Sequence, residues 1–245
     1  MKSVLALAAL LLLAAPSSVD PIFARGETLD YDLTWLTMSG GRARMTIAPQ
    51  TGDPVNNYLI TSLAQTSSGF SRIYRVRDQI ESVVTRSGFT TIRYHKDLRE
   101  GSHHKNDTTT YANGVATRKG KTYQVPTPVY DPLSLVYYLR TLDLEPGTTH
   151  NFNVFADKKT YEVNARITGR QTIDTPLGKF KCVVVEPEMQ AGGLYADEDS
   201  KLTIWYSDDE RHLPVRIRSD VKIGAITATL RGVTAGVAST SIDSK

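Results

Sequence analysis

Apolar and polar residues alternate with a period of two from Glu27 onward, and this pattern predicts half-buried antiparallel strands. In the first run, residues 29–35, apolar side chains occupy every second position. The flexible Ser39-Gly40-Gly41 follows, and we expect it to form the turn into a returning strand at 43–47. The two runs together predict a β-hairpin.

Similar runs continue along the chain, and Thr175-Pro176-Leu177-Gly178 has the composition of a turn that joins two of them. A meander of this many strands must curl, close or fold over to hide its edges. We therefore predict an all-β, mostly antiparallel fold, built as a curved sheet or as an incomplete barrel or sandwich. The further runs are 58–66, 77–85, 89–96, 103–111, 152–155, 160–168, 171–175, 180–189, 201–207, 213–220 and 223–233.

One segment has helical rather than alternating periodicity. Asp131 can cap a helix, Pro132 suits its first turn, and apolar residues between 135 and 142 recur at helical spacing. We predict one short helix near residues 131–142, packed against the concave or open side of the sheet. Residues 68–74 also break the alternation and are interpreted as a short helical plug or corner.

The N-terminus has the pattern of a secretory signal peptide. Lys2 precedes an apolar stretch from Val4 to Ala15, which is too short for a comfortable membrane span, and small and polar residues follow. No cysteine lies nearby to accept a lipid. An uncleaved N-terminal anchor is the alternative.

These features predict three parts of the chain. They are a signal peptide over residues 1–24, cleaved between 15 and 24, a single β-rich domain over 25–235, and a flexible C-terminal tail over 236–245. We expect the mature protein to be free in the periplasm of a Gram-negative cell, without an integral membrane segment.

Composition narrows the classes of function. Hydrophobic residues at 40% and charged residues at 22% are ordinary for a folded domain. The formal net charge is +3 and no basic run is present, so no nucleic-acid partner is expected. Cys182 is the single cysteine and lies in an apolar run, which excludes an intramolecular disulfide and predicts a buried thiol.

Motifs for catalysis are absent from the sequence. His103 and His104 are the only adjacent histidines, and on a strand they point to opposite faces, so we predict no metal site. The chain has no Gly-x-Ser-x-Gly turn, phosphate loop or dinucleotide fingerprint, and we assign no catalytic residue and no cofactor. Acidic clusters at 197–199 and 208–210 flank a predicted strand and are interpreted as hydrated turn residues.

Basic residues offer a candidate binding site. Arg216 and Arg218 share one face of a predicted strand, and Lys201 lies on a neighbouring run. If that face is concave, it can meet an anionic head group or polysaccharide. The alternative is a solvent-facing surface with cross-strand ion pairs. We predict that Arg72, Lys201, Arg216 and Arg218 contact an anionic ligand.

A set of short motifs resembles the periplasmic family called domain of unknown function 3108, from Gly26 to about Leu230. The resemblance implies an exported β-rich protein and brings no catalytic residues with it. The motifs are Gly26-Glu27-x-Leu29-x-Tyr31 with Trp35, residues 69–74, Asp131-Pro132-Leu133-Ser134 with Tyr138-Leu139-Arg140, residues 175–178, Lys201-Leu202-Thr203-Ile204-Trp205, Asp208-Asp209 and Leu213-Pro214-Val215.

Together these observations predict a non-enzymatic periplasmic or envelope-associated module that binds a lipid, a glycan or a protein segment. Two alternatives stay open. The first is a hydrolase of envelope material with a site near Asp208, Asp209 or His212, which shifted pKa values in a cleft would favour. The second is a structural partner of an envelope complex, which a wide exposed apolar patch or open sheet edge would favour.

Overall fold

The computed structural model describes residues 23–72, 74–189, 201–220 and 224–236. Within these ranges the chain forms fourteen strands, one α-helix and one turn of 3-10 helix at Phe70–Arg72. The helix α1 spans Pro132–Leu139. The strands are β1 Glu27–Trp35, β2 Met38–Pro49, β3 Asn57–Thr66, β4 Arg77–Thr85, β5 Thr91–Glu100, β6 His103–Ala112, β7 Val115–Arg118, β8 Lys121–Gln124, β9 Thr149–Ala156, β10 Lys159–Thr175, β11 Gly178–Met189, β12 Leu202–Ser207, β13 Pro214–Asp220 and β14 Ala225–Ala235.

All the strands belong to one antiparallel sheet in the order β8-β7-β6-β5-β4-β3-β2-β1-β14-β13-β12-β11-β10-β9. Two meanders, β1 to β8 and β9 to β14, are thus joined where β1 pairs with β14. The outermost strands, β8 and β9, are not paired with each other, so the sheet is curved but not closed into a barrel. The predicted all-β, antiparallel fold is confirmed.

Side chains, rather than ladder hydrogen bonds, bring the two edges of the sheet together. The ring of Phe155 in β9 packs against Tyr111 of β6 and Tyr123 of β8, with centroid distances of 5.9 and 5.5 Å. Asp157, in the turn after β9, accepts hydrogen bonds from Lys96 at 2.8 Å and Lys105 at 2.7 Å. The inner face of β5 to β8 therefore covers the β9 edge.

The predicted helix is confirmed, and it is shorter than expected. Its cap, Asp131, is fully buried and accepts hydrogen bonds from the backbone of Leu133 and Ser134 at 2.8 and 2.9 Å. The hydroxyls of Ser82 and Thr91 also donate to it, at 2.5 and 2.8 Å. Burial raises the pKa of this carboxyl above its ordinary value. The helix contacts β3, β4 and β9, so it fills the inside of the curved sheet.

A buried ion pair fixes the end of the helix to the first strand. Arg140, which is 1% exposed, donates to Glu27 at 2.7 Å, and its guanidinium also contacts the carbonyl of Arg211 at 3.2 Å. The same guanidinium lies 4.8 Å from the ring centre of Phe23, a side chain with no exposed surface. Arg140 thus connects α1, β1 and the residues that precede β1.

The predicted position of the first turn was wrong. The turn lies at Leu36 and Thr37, and Ser39-Gly40-Gly41 belongs to β2. Leu36 adopts a left-handed φ of 54°, which the sequence gives no reason to expect for leucine. Gly40 is the extra residue of a β-bulge, since Leu33 pairs with Gly41 and Thr34 with Ser39. A Cβ on Gly41 would lie 2.1 Å from the carbonyl oxygen of Gln65, so this glycine permits close strand approach.

Several predictions fall outside the described residues. These are residues 1–22 of the signal peptide, the acidic cluster at 197–199 and residues 237–245 of the tail. Within the part of the chain that the structure describes, no helix is long and apolar enough to cross a membrane.

Candidate functional site

Burial of the inner face decreases along the strands toward one end of the sheet. In β1, Leu29 and Tyr31 are 0% and 1% exposed, whereas the next inner residues, Leu33 and Trp35, are only partly buried. In β14, Leu230 has no exposed surface, but Ile226 is 46% exposed. We call the end with the β1–β2 turn the open end, and the opposite end, where α1 lies, the filled end.

Half-buried residues form an apolar row across three adjacent strands. Ile217 of β13 pairs directly with Ala228 of β14, and Ala228 pairs with Leu33 of β1. Ile80 of β4 and Ala64 of β3 are also partly buried, but the row does not extend to them, since Ile80 has Ser62 and Lys96 as its direct ladder partners. Direct partners in an antiparallel ladder present their side chains on the same face. The inside of the curved sheet therefore keeps an uncovered apolar lining near the open end.

Three of the four predicted site residues lie together, on the outer face. Lys201, Arg216 and Arg218 line a groove of about 450 Å³ beside Trp205. The strand pairing explains this, because Trp205 pairs with Arg216 and Thr203 with Arg218. This face is the outer one, since Ile217, between the two arginines, packs against the core.

The basic groups in this groove have partners. Lys201 forms an ion pair with Glu186 at 2.8 Å, and Arg218 with Asp220 at 2.9 Å. Arg216 donates to the carbonyl of Asp174 at 3.0 Å, while its Nε is buried and has no hydrogen-bond partner among the described residues. The two ion pairs match the alternative interpretation of a solvent-facing surface, and the contact with an anionic ligand stays a prediction.

Arg72 does not join this group. It lies in the 3-10 turn after β3, and β2, β1 and β14 stand between β3 and β13. Four strand spacings of ~4.8 Å place it roughly 19 Å away along the sheet. Arg72 is exposed at the open end.

Asp208, Asp209 and His212, the residues near which a hydrolase site was considered, lie in the connection between β12 and β13 and have partners there or on neighbouring elements. Asp209 accepts hydrogen bonds from the Ser207 hydroxyl at 2.8 Å and from the Arg211 backbone at 3.0 Å. Asp208 forms an ion pair with Arg170 at 3.0 Å. The ring of His212 lies 3.1 Å from the carbonyl of Arg140. These partners give no arrangement in which one group activates another for attack on a substrate.

Titratable groups with shifted pKa values lie mainly in the interior. Burial raises the pKa of the tyrosines Tyr31, Tyr137 and Tyr206, which surround the Arg140 guanidinium. Cys182 is buried, which confirms the predicted buried thiol, and burial raises the pKa of this thiol to about 12. Among the described residues, no group of three or more His, Cys, Asp or Glu is placed to hold a metal ion.

Sequence reasoning missed the apolar lining as a site. The alternation placed Leu33 and Ile217 on buried faces, and no local signal distinguishes a filled interior from an open one. Only the pairing of β1 with β14 brings these two residues close together, and that pairing joins the two ends of the domain.

A comparison with solved structures finds one similar fold at low sequence identity and two weaker matches. A β-barrel-like protein of domain of unknown function DUF1849 from Brucella abortus has a TM-score of 0.59 at 11% identity, covering 85% of this chain and 96% of that one. A protein with a YmcC-like fold from Bacteroides fragilis has a TM-score of 0.37 at 10% identity, covering 85% and 95%. Lipoprotein LppX of Mycobacterium tuberculosis has a TM-score of 0.29 at 12% identity, covering 84% of each chain.

The sequence itself identifies the family. No curated protein matches it. Residues 30–231, most of the β-rich domain, match the family model described as "Protein of unknown function (DUF3108)". The chain therefore belongs to the DUF3108 family.

Proposed function

We propose that the protein is a non-enzymatic binding module of the periplasm that holds an elongated apolar ligand, of the acyl-chain class, against the inner face of its curved sheet. The observation that supports this most directly is the loss of burial toward the open end, from Tyr31 to Leu33 in β1 and from Leu230 to Ile226 in β14. Apolar side chains that face the interior yet stay partly exposed leave room for an apolar guest.

The energetics favour an acyl chain over a glycan. Each methylene group that leaves water for an apolar surface contributes about 0.8 kcal/mol, so several methylenes suffice for measurable affinity. A glycan would have to exchange its bound water for hydrogen-bonding groups. The lining residues Leu33, Ile217 and Ala228 offer none on their side chains.

A second candidate is an anionic ligand in the outer groove. The buried Nε of Arg216, without a hydrogen-bond partner among the described residues, favours it, since a guanidinium can bind a carboxylate or phosphate through several donors. The ion pairs of Lys201 and Arg218 weigh against it, because a ligand would have to displace Glu186 and Asp220.

Two substitutions on neighbouring residues distinguish these sites. Ala228 faces the inner surface and Thr227 lines the outer groove, so Ala228→Phe fills one site and Thr227→Phe fills the other. Native mass spectrometry of protein purified from periplasm would show whether a ligand is bound. Displacement of a fluorescent fatty acid would then measure affinity for the wild type and both variants, with thermal unfolding as a check on folding.

We expect Ala228→Phe to weaken fatty-acid binding at least tenfold and Thr227→Phe to leave it unchanged. The reverse pattern would assign the ligand to the outer groove. If the wild type binds no fatty acid and no apolar mass is found in the purified protein, the proposal is wrong. Recovery of the mature protein from cytosol alone would contradict the periplasmic location.

A further inference from the structure

The open end of the sheet terminates in exposed apolar side chains. Trp35 pairs directly with Met38 on one side and with Ile226 on the other, so the three side chains share one face. Leu36, at the tip of the turn, is 55% exposed, and Met38 and Ile226 are each 46% exposed. We call Trp35, Leu36, Met38 and Ile226 the apolar rim. Through Leu33 and Ala228 it continues into the apolar lining described above.

The backbone conformation of the β1–β2 turn does not favour a leucine at position 36. Its φ of 54° lies in the left-handed region, where glycine and asparagine are favoured and bulky residues are rare. Its side chain lies over Gly224, where a Cβ would come within 2.3 Å of Cδ2 of Leu36. A strained backbone thus presents an exposed leucine, which points to a role outside folding.

Exposed arginines flank the apolar rim. Phe70 packs edge to face on Trp35 with a centroid distance of 5.9 Å, which holds the connection between β3 and β4 beside the rim. Arg72 and Arg75 on this connection and Arg77 at the start of β4 are exposed, and within the described ranges their side chains form no hydrogen bond or ion pair. These cations are therefore available to an external anion.

Charge differs between the two ends of the sheet. The other turns at the open end carry or adjoin exposed lysines, among them Lys119 between β7 and β8, Lys121 at the start of β8 and Lys158 between β9 and β10. The filled end carries more exposed carboxylates than cations: the carboxylates are Asp143, Glu145, Asp174, Asp208, Asp209 and Glu210, and the cations include Arg25, Lys179 and Arg211. Among the described residues, exposed cations predominate at the open end and exposed carboxylates at the filled end, and this asymmetry orients the molecule toward an anionic surface.

We propose that the open end docks on an anionic phospholipid membrane, with the apolar rim inserted at the boundary of head groups and acyl chains. Arg72, Arg75 and Arg77 then contact lipid phosphates. Peripheral membrane binding needs both apolar insertion and electrostatic attraction, and the open end supplies the two together. A purely apolar partner would leave the arginines unused, whereas a purely acidic one would leave the rim exposed to water.

Membrane docking goes beyond ligand binding and can be true without it. The two are spatially connected, however, because the apolar lining opens at the docking end. A ligand could then pass between bilayer and lining without crossing water. Vesicle binding and fatty-acid affinity are separate measurements, so the failure of one proposal is distinguishable from the failure of the other.

The first test removes apolar contact without disturbing the turn. Asparagine tolerates the left-handed conformation, so Leu36→Asn keeps or improves folding stability. We expect it to weaken sedimentation with vesicles of phosphatidylcholine and phosphatidylglycerol about tenfold. Val55→Asn is the matched control, since Val55 is 77% exposed in the β2–β3 connection at the filled end. This control should bind vesicles like the wild type.

The second test reverses charge locally while keeping net charge matched. Arg72→Glu with Arg75→Glu should abolish vesicle binding. Arg25→Glu with Lys179→Glu changes the net charge equally at the filled end and should leave most binding intact. Neutral phosphatidylcholine vesicles should bind the wild type at least tenfold more weakly than anionic ones.

Several results would overturn the proposal. Equal losses in both double variants would indicate an effect of net charge rather than of the open end. Equal binding to neutral and anionic vesicles would remove the role of the arginines. Absence of vesicle binding would exclude membrane docking. If sedimentation velocity then showed a dimer that Leu36→Asn dissociates, the apolar rim would be an interface between two copies of this chain.

Discussion

Arg140 shows how a single charged residue connects distant parts of this chain. Its guanidinium joins Glu27 of β1 and the carbonyl of Arg211 within the interior, and it lies against the rings of Phe23 and Tyr137. Neither Arg140 nor Glu27 stands out in the sequence as a buried residue, because charged residues are usually exposed. The sequence alone therefore did not predict an ion pair between two residues that lie 113 positions apart.

Loss of one partner of this ion pair should be costly. We expect Arg140→Met to lower the free energy of unfolding by about 3–5 kcal/mol, because Glu27 would remain buried beside a single partner, Arg211. Glu27→Leu with Arg140→Met should be less harmful than Arg140→Met alone, since no charge stays uncompensated. Urea unfolding followed by circular dichroism measures both. A double variant at least as unstable as Arg140→Met would contradict this explanation.

The elements differ in how far local sequence determines them. Helix α1 has its own signals in Asp131 and Pro132, and it was predicted within three residues at its C-terminus. The β1–β2 turn was misplaced because glycine usually marks a turn, whereas Gly40 and Gly41 here serve a bulge and a close strand approach. The short strands β7 and β8 were missed, since four residues give too little alternation to detect.

Asp131 caps helix α1 and is fully buried. Asp131→Ala removes the acceptor for two backbone amides and for the hydroxyls of Ser82 and Thr91. We expect a loss of about 2–4 kcal/mol, from the cap itself and from the buried donors left unpaired. Asp131→Asn keeps an acceptor oxygen and should lose less. Chemical unfolding at pH 7 checks both variants, and an Asp131→Ala protein as stable as the wild type would exclude a structural role for the cap.

At the scale of the whole molecule, closure of the curved sheet depends on side chains. Asp157, in the turn after β9, meets Lys96, Lys105 and Arg118 from β5, β6 and β7, and Asp107 pairs with Arg118. Burial acts to raise the pKa of Asp157, but hydrogen bonds from the two lysines outweigh it and lower the pKa to about 2. The sheet edges are therefore held together most strongly when this carboxylate is charged.

This cluster predicts acid sensitivity. Because the pKa of Asp157 is lower in the folded state than in the unfolded chain, its contribution is full above about pH 4 and is lost as the pH falls toward 2. We expect Asp157→Asn to cost ~1 kcal/mol at pH 7, after screening by solvent, and to differ little from the wild type near pH 2. Unfolding midpoints measured across this pH range test the expectation. A difference that does not shrink in acid would refute it.

The strand order also determines how much of the candidate site could be predicted from the sequence. Lys201, Arg216 and Arg218 meet because their strands are neighbours in sequence as well as in the sheet. Arg72 belongs to a different surface, since the strand order places β1 and β14 between the two halves. The apolar lining spans that same junction. Its residues could be assigned to a buried face from the sequence, but not to an open interior.

The burial of Phe23 restricts the positions at which an N-terminal leader can be cleaved. The ring packs against Tyr58, Phe89 and Tyr137 and has no exposed surface. Removing such a ring typically costs about 3–5 kcal/mol. If the N-terminus is cleaved as a leader, a scissile bond after Phe23 or Ala24 would discard part of the core that the mature chain needs for folding. We therefore expect Edman sequencing of the mature protein to begin at Phe23 or earlier, and a first residue of Ala24 or Arg25 would contradict this requirement.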